Sequence, residues 1–142
     1  MIVTQTQVRV RYGETDQMGF VYYGNYALYY EVARADAMRQ MNMSYHQMEQ
    51  RGVVMPIVNM SSKYIRPARY DDLLTIKTSV RQMPASRMHF HYEVYNEAGV
   101  LLNLAETTLA FIKKESGRPC AAPDWFLEKL EPLFRQNPHE VK

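Results

Sequence analysis

Apolar residues recur at steps of three and four between Asn25 and about Met41, which is the spacing of one face of an α-helix. Charged residues fall mostly off this face, and several alanines allow other backbone to come close. The apolar stripe consists of Tyr26, Tyr30, Ala33, Ala37 and Met41. We therefore predict a long helix that the rest of the fold covers. A shorter helix is predicted from Ser44 to Arg51, ended by Gly52.

Four stretches with strand character follow these helices, and a first strand is predicted within residues 2–12. The clearest alternation places Met88, Phe90, Tyr92 and Val94 on one face of a strand. Residues 96–99 form a good hairpin connection to the next stretch. The other three stretches are Val53 to Ile65 with a break at Pro56, one with Leu74, Ile76, Thr78 and Val80 on a shared face, and Val100 to Lys113. A last amphipathic helix is predicted from Pro123 through Phe134.

This order of elements predicts an α+β fold in which a curved antiparallel sheet wraps around the long central helix. A single layer of this kind leaves the other face and the edges of the sheet to be covered, which favours a second subunit. With 142 residues and no linker-like stretch, the chain is predicted to form one domain.

Composition narrows the class of protein. The chain has 12% aromatic and 23% charged residues, which is typical of a globular protein and not of a disordered one. A net charge of +2 argues against nucleic acid as a main partner, yet permits a local cationic patch facing a phosphorylated ligand. The single cysteine excludes an internal disulfide framework. Because the first residues lack signal-peptide features and no apolar run reaches the roughly 20 residues of a membrane helix, we expect a cytoplasmic protein without a transmembrane segment.

The loop before the long helix carries the candidate chemistry. Residues 12–26 read YGETDQMGFVYYGNY, and the helix continues with Tyr30-Glu31-x-x-Arg34. A third segment, residues 67–72, reads PARYDD. Together these segments resemble the hotdog-fold thioesterases of the 4-hydroxybenzoyl-CoA thioesterase type and of the Tol-Pal-associated acyl-CoA branch. The resemblance spans roughly residues 5–115. It implies a single hotdog domain over residues 1–142, with a core at about 5–115 and a C-terminal helix at about 123–134, that hydrolyses acyl-CoA to free acid and CoA.

A thioester is already activated, because its leaving thiol has a pKa of about 8.5 and departs with little help from an acid. Hydrolysis still requires a nucleophile or base and a group that holds the developing oxyanion. The resemblance assigns the first role to Asp16, which attacks the carbonyl or activates a water. It assigns the second role to the backbone N–H of Tyr23, at a helix start whose first N–H groups lack partners. Many members of the Tol-Pal-associated branch carry His at the position of Tyr23, whereas the 4-hydroxybenzoyl-CoA enzyme carries Tyr.

Further residues are predicted to bind the substrate. Gly24 allows the loop to fold tightly. Asn25 is a good N-cap, and a role in orienting the ligand is the alternative for this residue. Tyr26 lies at the start of the helix. Arg87 follows a turn and is predicted to contact the phosphates of CoA. The alternatives for this phosphate contact are Arg66, Arg69 and Arg81.

No cofactor and no metal site are predicted. His89 and His91 have a spacing that can chelate a metal, but no third ligand is evident, so a solvated strand face is preferred.

Two other functions fit the same fold. One is a non-catalytic module that binds acyl-CoA or acyl carrier protein, against which Asp16 argues, because a pure binder needs no carboxylate near a thioester. The other is a hotdog dehydratase, which pairs a His with an acid on the central helix, and residues 25–41 contain no His.

We expect a homodimer or homotetramer with its sites at the subunit boundary. The sequence does not determine which acyl group is bound, nor whether CoA or acyl carrier protein carries it.

Overall fold

The computed structural model describes residues 1–136, in which three helices and seven strands form. The helices are α1 (Tyr26–Gln40), α2 (Tyr45–Gln50) and α3 (Asp124–Gln136). The strands are β1 (Ile2–Arg9), β2 (Val53–Val54), β3 (Ile57–Tyr64), β4 (Leu73–Val80), β5 (Arg87–Tyr95), β6 (Leu101–Lys113) and β7 (Pro119–Cys120). Two 3₁₀ turns, Tyr12–Glu14 and Tyr23–Asn25, frame the loop between β1 and α1.

The strands form one antiparallel sheet in the order β1-β4-β5-β6. Strand β3 pairs along the other side of β6, while the short strands β2 and β7 pair with the end of β6 near Lys113. Among the described strands β3 has a single neighbour, so it forms an edge of the sheet. The long hairpin of β5 and β6 is therefore the centre of the molecule.

The core lies between α1 and one face of the sheet. The alternating residues predicted to share a face on β4 and β5 are all buried, as is the complete apolar stripe of α1. Burying one such large side chain stabilises a fold by about 1.5–3 kcal/mol. The apolar face between α1 and the sheet therefore provides much of the free energy that drives folding. The predicted α+β fold, an antiparallel sheet packed on one long helix, is confirmed.

Two local details differ from the sequence prediction, while a third, the predicted break at Pro56, is confirmed. Strand β1 ends at Arg9, because its pairing partner β4 begins at Leu73 and the chain then turns. Pro56 separates β2 from β3, as its missing N–H requires. The two-residue strand β7 was not predicted, since its pairing with Phe111 and Ile112 arises only in the folded chain.

Helix α1, at 15 residues, is the longest helix within residues 1–136. In that part of the chain no helix has the length and apolar character needed to cross a bilayer.

Candidate active site

The loop that carries Asp16 is closed by its own backbone. Asp16 N–H donates to the carbonyl of Phe20 at 2.8 Å, and Gly19 N–H donates to the carbonyl of Asp16 at 3.0 Å. Gly19 has a φ of +80°, the left-handed conformation that glycine adopts without steric cost. Thr15 and Val21 pair across the base of the loop. Asp16 therefore sits in a closed turn and not in an open segment.

The two carboxylate oxygens of Asp16 have different surroundings. Oδ1 accepts hydrogen bonds from the N–H groups of Met18 at 2.9 Å and Phe20 at 3.2 Å. No side chain or backbone group in residues 1–136 donates to Oδ2. One oxygen thus fixes the orientation of the carboxylate, and the other is available for chemistry.

Asp16 lines a cavity of about 320 Å³ whose walls are mainly apolar and aromatic. The cavity is also lined by Met18, Phe20, Val21, Tyr23, Tyr26, Tyr64, Ile65, Arg66 and Pro67. The rings of Tyr26 and Tyr64 meet edge to face with centroids 5.3 Å apart, which fixes one wall. Arg66 brings a cation to the same cavity. This combination suits a ligand with an apolar part and an anionic part.

The start of the helix forms another part of this cavity. The 3₁₀ turn Tyr23–Asn25 runs directly into α1, and its first N–H groups, those of Tyr23 and Gly24, have no backbone acceptor within residues 1–136. Such N–H groups, together with the positive end of the helix dipole, favour an oxygen that carries negative charge. A carboxylate and an anion-stabilising helix start therefore line one cavity.

Gly24 is packed closely by its neighbour. A β-carbon at this position would lie 2.8 Å from Cε2 of Tyr22, whose ring also contacts the ring of Tyr23 at a centroid distance of 4.5 Å. The absence of a side chain at Gly24 therefore lets the tyrosine pair lie against the helix start.

Asn25 occupies the N-cap position of α1, as predicted, but its side chain does not cap the helix. Asn25 has helical dihedral angles, φ −77° and ψ −17°, and its side chain accepts no capping hydrogen bond. The reason is that the helical path already begins one turn earlier, at Tyr23, so Asn25 lies inside it. Its Nδ2 instead donates to the backbone carbonyl of Glu14 at 2.8 Å, tying the helix start to the loop.

Glu14 joins the loop to the helix. Its side chain accepts from the backbone N–H of Arg11, from the Arg11 guanidinium and from the hydroxyl of Tyr29. Burial by itself raises the pKa of Glu14, but these hydrogen bonds outweigh burial and hold the pKa below its ordinary value. In the structure the carboxylate of Glu14 is therefore occupied by Arg11 and Tyr29.

Tyr26 presents a neutral hydroxyl. Burial raises the pKa of this phenol, and a backbone hydrogen bond with Ala68 offsets the rise only in part. At neutral pH the side chain is therefore a hydrogen-bond donor at the wall of the Asp16 cavity.

The four candidate phosphate-binding arginines lie in different places. Arg87 pairs opposite Ala110 on β6, whereas Tyr64 of the cavity pairs opposite Asn103, so the two lie about seven residues apart along β6, or ~23 Å. Within one chain the structure thus brings Arg66, and not Arg87, to the Asp16 cavity. Arg69 stacks over the ring of Phe20 at 4.8 Å, and Arg81 lines a separate cavity beside His91.

His89 and His91 lie on the face of β5 that points away from the core, each bound to a neighbour on β6. Their partners are Thr108 at 3.0 Å and Glu106 at 2.9 Å. Within residues 1–136 no group of three or more His, Cys, Asp or Glu side chains has an arrangement that could hold a metal ion.

The wall formed by Tyr64, Ile65 and Pro67 was missed from the sequence. Pairing of Phe20 with Arg69, and the hydrogen bond from Val21 N–H to the carbonyl of Ala68, bring this segment to the loop. The available signal was the segment at residues 67–72, which matched the family pattern without suggesting a contact.

Comparison with known proteins decides the family. Residues 10–130 match the model of the thioesterase-like superfamily. The chain belongs to this superfamily. The resemblance seen in the loop and helix motifs is thereby confirmed, and the chain is a thioester hydrolase.

Several relatives are similar over most of their length. The Bacillus subtilis protein named "Putative acyl-CoA thioesterase YneP" is 34% identical over 129 residues, which covers 88% of this chain and 94% of that protein. The acyl-CoA thioester hydrolase YbgC of Escherichia coli is 33% identical, with 82% of this chain and 87% of that protein covered. The crystal structure of the DHNA-CoA thioesterase from Staphylococcus aureus has a TM-score of 0.87 at 32% identity and covers 99% of this chain and 98% of that one.

Proposed function

We propose that this protein hydrolyses acyl-CoA, with Asp16 as the catalytic carboxylate and the backbone N–H of Tyr23 as the oxyanion donor. One observation carries the proposal: Asp16, whose Oδ2 accepts no hydrogen bond within residues 1–136, and Tyr23, the first residue of the helical path, line the same cavity. The names of two relatives, "Putative acyl-CoA thioesterase YneP" and "Acyl-CoA thioester hydrolase YbgC", support this substrate class.

The reaction has two routes on this geometry. In the first, Oδ2 of Asp16 attacks the thioester carbon, the C–S bond breaks and CoA leaves as the thiolate. Water then hydrolyses the mixed anhydride, which releases the acid and restores the Asp16 carboxylate, and the proton set free protonates the thiolate. In the second, Oδ2 accepts a proton from a water molecule, whose oxygen attacks the carbon, and the proton goes to the leaving thiolate. Both routes place negative charge on the former carbonyl oxygen, which the N–H of Tyr23 stabilises.

The remaining residues at the helix start act on the substrate by shape and hydrogen bonding. Gly24 has a backbone N–H without a backbone acceptor in residues 1–136, Asn25 holds the helix start against the loop, and Tyr26 provides a wall of the cavity. We include substrate binding by Gly24, Asn25 and Tyr26 in the proposed acyl-CoA hydrolysis.

A second copy of the chain completes the site in this proposal. The edge strand β3 exposes apolar side chains that a stable monomer normally covers, among them Ile57, Val58, Met60 and Tyr64. Antiparallel pairing of two β3 strands opposes the Tyr64 end of one copy to the Ile57 end of the other. Because Arg87 lies near that Ile57 end, this pairing carries the Arg87 of a second copy toward the Asp16 cavity.

The test is a thiol-release assay on short, long, branched and aromatic acyl-CoAs, and on the same acyl groups carried by acyl carrier protein. In Asp16→Asn the amide oxygen can still accept from Met18 and Phe20, so the loop stays folded while Oδ2 is replaced. We expect turnover to fall about 10²–10⁴-fold, with thermal unfolding unchanged.

Asp71→Asn is the matched control, because it makes the same chemical change in an exposed loop residue that does not line the cavity. We expect it to keep full activity. Wild-type turnover in Asp16→Asn would remove Asp16 from the mechanism. Acyl-CoA binding without thiol release by the unmodified protein would instead favour the non-catalytic binding module.

A further inference from the structure

The inward face of β6 carries two polar residues among apolar ones. Asn103 and Thr107 are both buried on this face, beside Ala105 and Leu109. A buried amide costs free energy unless its hydrogen-bonding groups have partners, whereas an apolar residue fills the same place without that requirement. The hydrogen bonds of Asn103 therefore indicate what this position does.

The side chain of Asn103 joins the central helix to the edge strand β3. Its Oδ1 accepts a hydrogen bond from the hydroxyl of Tyr30 on α1. Its Nδ2 donates to Oγ of Ser62 and to the backbone carbonyl of Lys63, both at 3.0 Å and both on β3. A carbonyl can only accept, so the bond to Lys63 fixes which end of the amide faces β3. Both hydrogens of the amide are thus used to hold the edge strand.

The hydroxyls of Tyr30 and Ser62 close this cluster, with their oxygens 2.7 Å apart. Because the single proton of Tyr30 goes to Asn103, the hydroxyl of Ser62 donates to Tyr30 while its oxygen accepts from the amide. Burial raises the pKa of Tyr30, which keeps that proton in place at neutral pH. Helix, amide and edge strand are therefore joined by a network with one arrangement of its protons.

The cluster lies beside one wall of the Asp16 cavity. Asn103 pairs opposite Tyr64 across β6 and β3, and directly opposed residues of an antiparallel pair project from the same side of a sheet. Tyr64 directly follows Lys63, whose carbonyl the amide binds. The ring of Tyr64 contacts the ring of Tyr26, one helical turn before Tyr30. Asn103 thus binds the same two elements, α1 and the end of β3, whose tyrosines form this wall.

We propose that Asn103 is a positioning residue that sets the width of the Asp16 cavity and thereby its selection between linear and bulkier acyl groups. The amide keeps Tyr64 against Tyr26, although Asn103 itself is not among the residues that line the cavity. Strand β3 has one neighbour among the described strands, so loss of the amide lets its Tyr64 end move outward and widens the cavity. This inference rests on the proposed thioesterase function, since it concerns which acyl group that site accepts.

The test compares the kcat/KM values for benzoyl-CoA and butyryl-CoA, an aromatic and a linear substrate. Asn103→Leu removes the amide and keeps a side chain of similar size. We expect the ratio of benzoyl-CoA to butyryl-CoA to rise by about tenfold over the wild type, because small changes in the fit of an apolar pocket discriminate by that much. Tyr30→Phe removes one hydroxyl of the network and leaves its ring in the core. It should move the ratio in the same direction, and it is the test variant if Asn103→Leu does not fold.

Thr107→Val is the matched control. Thr107 lies on the same face of β6, and its hydroxyl is bonded to that of the buried Tyr92 at 2.6 Å, away from the cavity. Thr107→Val and Asn103→Leu each lose a buried hydrogen bond, so both should unfold at a lower temperature than the wild type. Only Asn103→Leu should change the ratio. An unchanged ratio in Asn103→Leu and Tyr30→Phe would reduce Asn103 to a structural role and overturn the inference, while leaving the proposed hydrolysis intact.

Calorimetric binding of the thioether analogues of the same two acyl-CoAs separates this inference from the catalytic proposal. If the wild type binds the analogues but releases no thiol from the thioesters, the proposed hydrolysis fails and the ratio of the two dissociation constants tests Asn103 instead. A shift of that ratio toward the benzoyl analogue in Asn103→Leu supports the inference, and an unchanged ratio overturns it. Neither binding nor thiol release by the wild type overturns both proposals.

Discussion

The hydroxyl of Tyr29 donates a hydrogen bond of 2.9 Å to Oε1 of Glu14, and this bond joins the first turn of α1 to the loop that carries Asp16. The backbone carbonyl of Glu14 also accepts from Tyr22 N–H at 2.9 Å, one residue before the proposed oxyanion donor Tyr23. Glu14 therefore positions both residues of the proposed mechanism. Asp16 lies two residues after Glu14 in the same loop, and Tyr23 directly follows Tyr22, whose N–H is bound by the carbonyl of Glu14.

Replacing Tyr29 with Phe removes this one bond and leaves the ring in the core. Because Glu14 keeps Arg11 as a partner, we expect the free energy of unfolding to fall by about 1 kcal/mol. Thiol release should fall severalfold in kcat with little change in KM, because the distance between Asp16 and Tyr23 matters most in the transition state. Urea unfolding and steady-state assays measure the two effects.

The chain contains a matched control for this change. The hydroxyl of Tyr95 donates to Oε1 of Glu93 at 2.8 Å, away from the Asp16 cavity. Tyr95→Phe should leave kcat unchanged. Equal losses of kcat in the two variants would show that the bond between Tyr29 and Glu14 has no special part in positioning.

The lowered pKa of Glu14 predicts a dependence of stability on pH. An acid whose pKa is lower in the folded state stabilises the fold above its unfolded pKa, about 4.3 for Glu, and this contribution is lost as pH falls through the lower folded value. We expect the free energy of unfolding to decline in that acidic range, and Glu14→Gln to remove part of the decline. Urea unfolding at a series of pH values checks this, with exposed Glu128→Gln as the control. Parallel curves for the wild type and Glu14→Gln would contradict it.

Periodicity in the sequence predicted most of the fold, because burial enforces it. The stripe from Tyr26 to Met41 and the alternation from Met88 to Val94 each present one apolar face, and each of those faces is buried. The end of β1 and the strand β7 could not be predicted in the same way. Both depend on pairing with residues far along the chain, at Leu73 and at Phe111.

The site was less accessible to sequence reasoning, because hydrogen bonds between distant residues build it. Asp16 was found from its motif, but the contrast between its two oxygens comes from the backbone of Met18 and Phe20. Asn25 has the residue type of a cap, yet a 3₁₀ turn that extends the helix to Tyr23 gave its side chain another partner. Local residue preference does not reveal where a helical path begins when the preceding loop folds back.

The left-handed backbone of Gly19 predicts a cost for any side chain there. A β-carbon at this position meets no atom within 4 Å, so the penalty is conformational and not steric crowding. We expect Gly19→Ala to lower the free energy of unfolding by about 1–2 kcal/mol and to reduce thiol release, because the turn also places Asp16. Gly13→Ala is the control, since its β-carbon also meets open space and its φ is not positive. Urea unfolding of both variants measures the difference, and equal stabilities would argue against a strained turn.

The oxyanion role of the Tyr23 backbone can be tested with proline, which removes an N–H. Proline fits the first position of a helical turn, and Tyr22 before it already has φ −61° and ψ 133°, the extended conformation that a residue preceding proline adopts. Tyr23→Pro should therefore fold, yet lose thiol release by about 10²–10³-fold in kcat. Tyr23→Ala removes the same exposed side chain and keeps the N–H, so it should retain most of its kcat. Circular dichroism and thermal unfolding verify that both variants are folded. Equal activity in the two variants would transfer the oxyanion role to another donor, with the N–H of Gly24 next in the same turn.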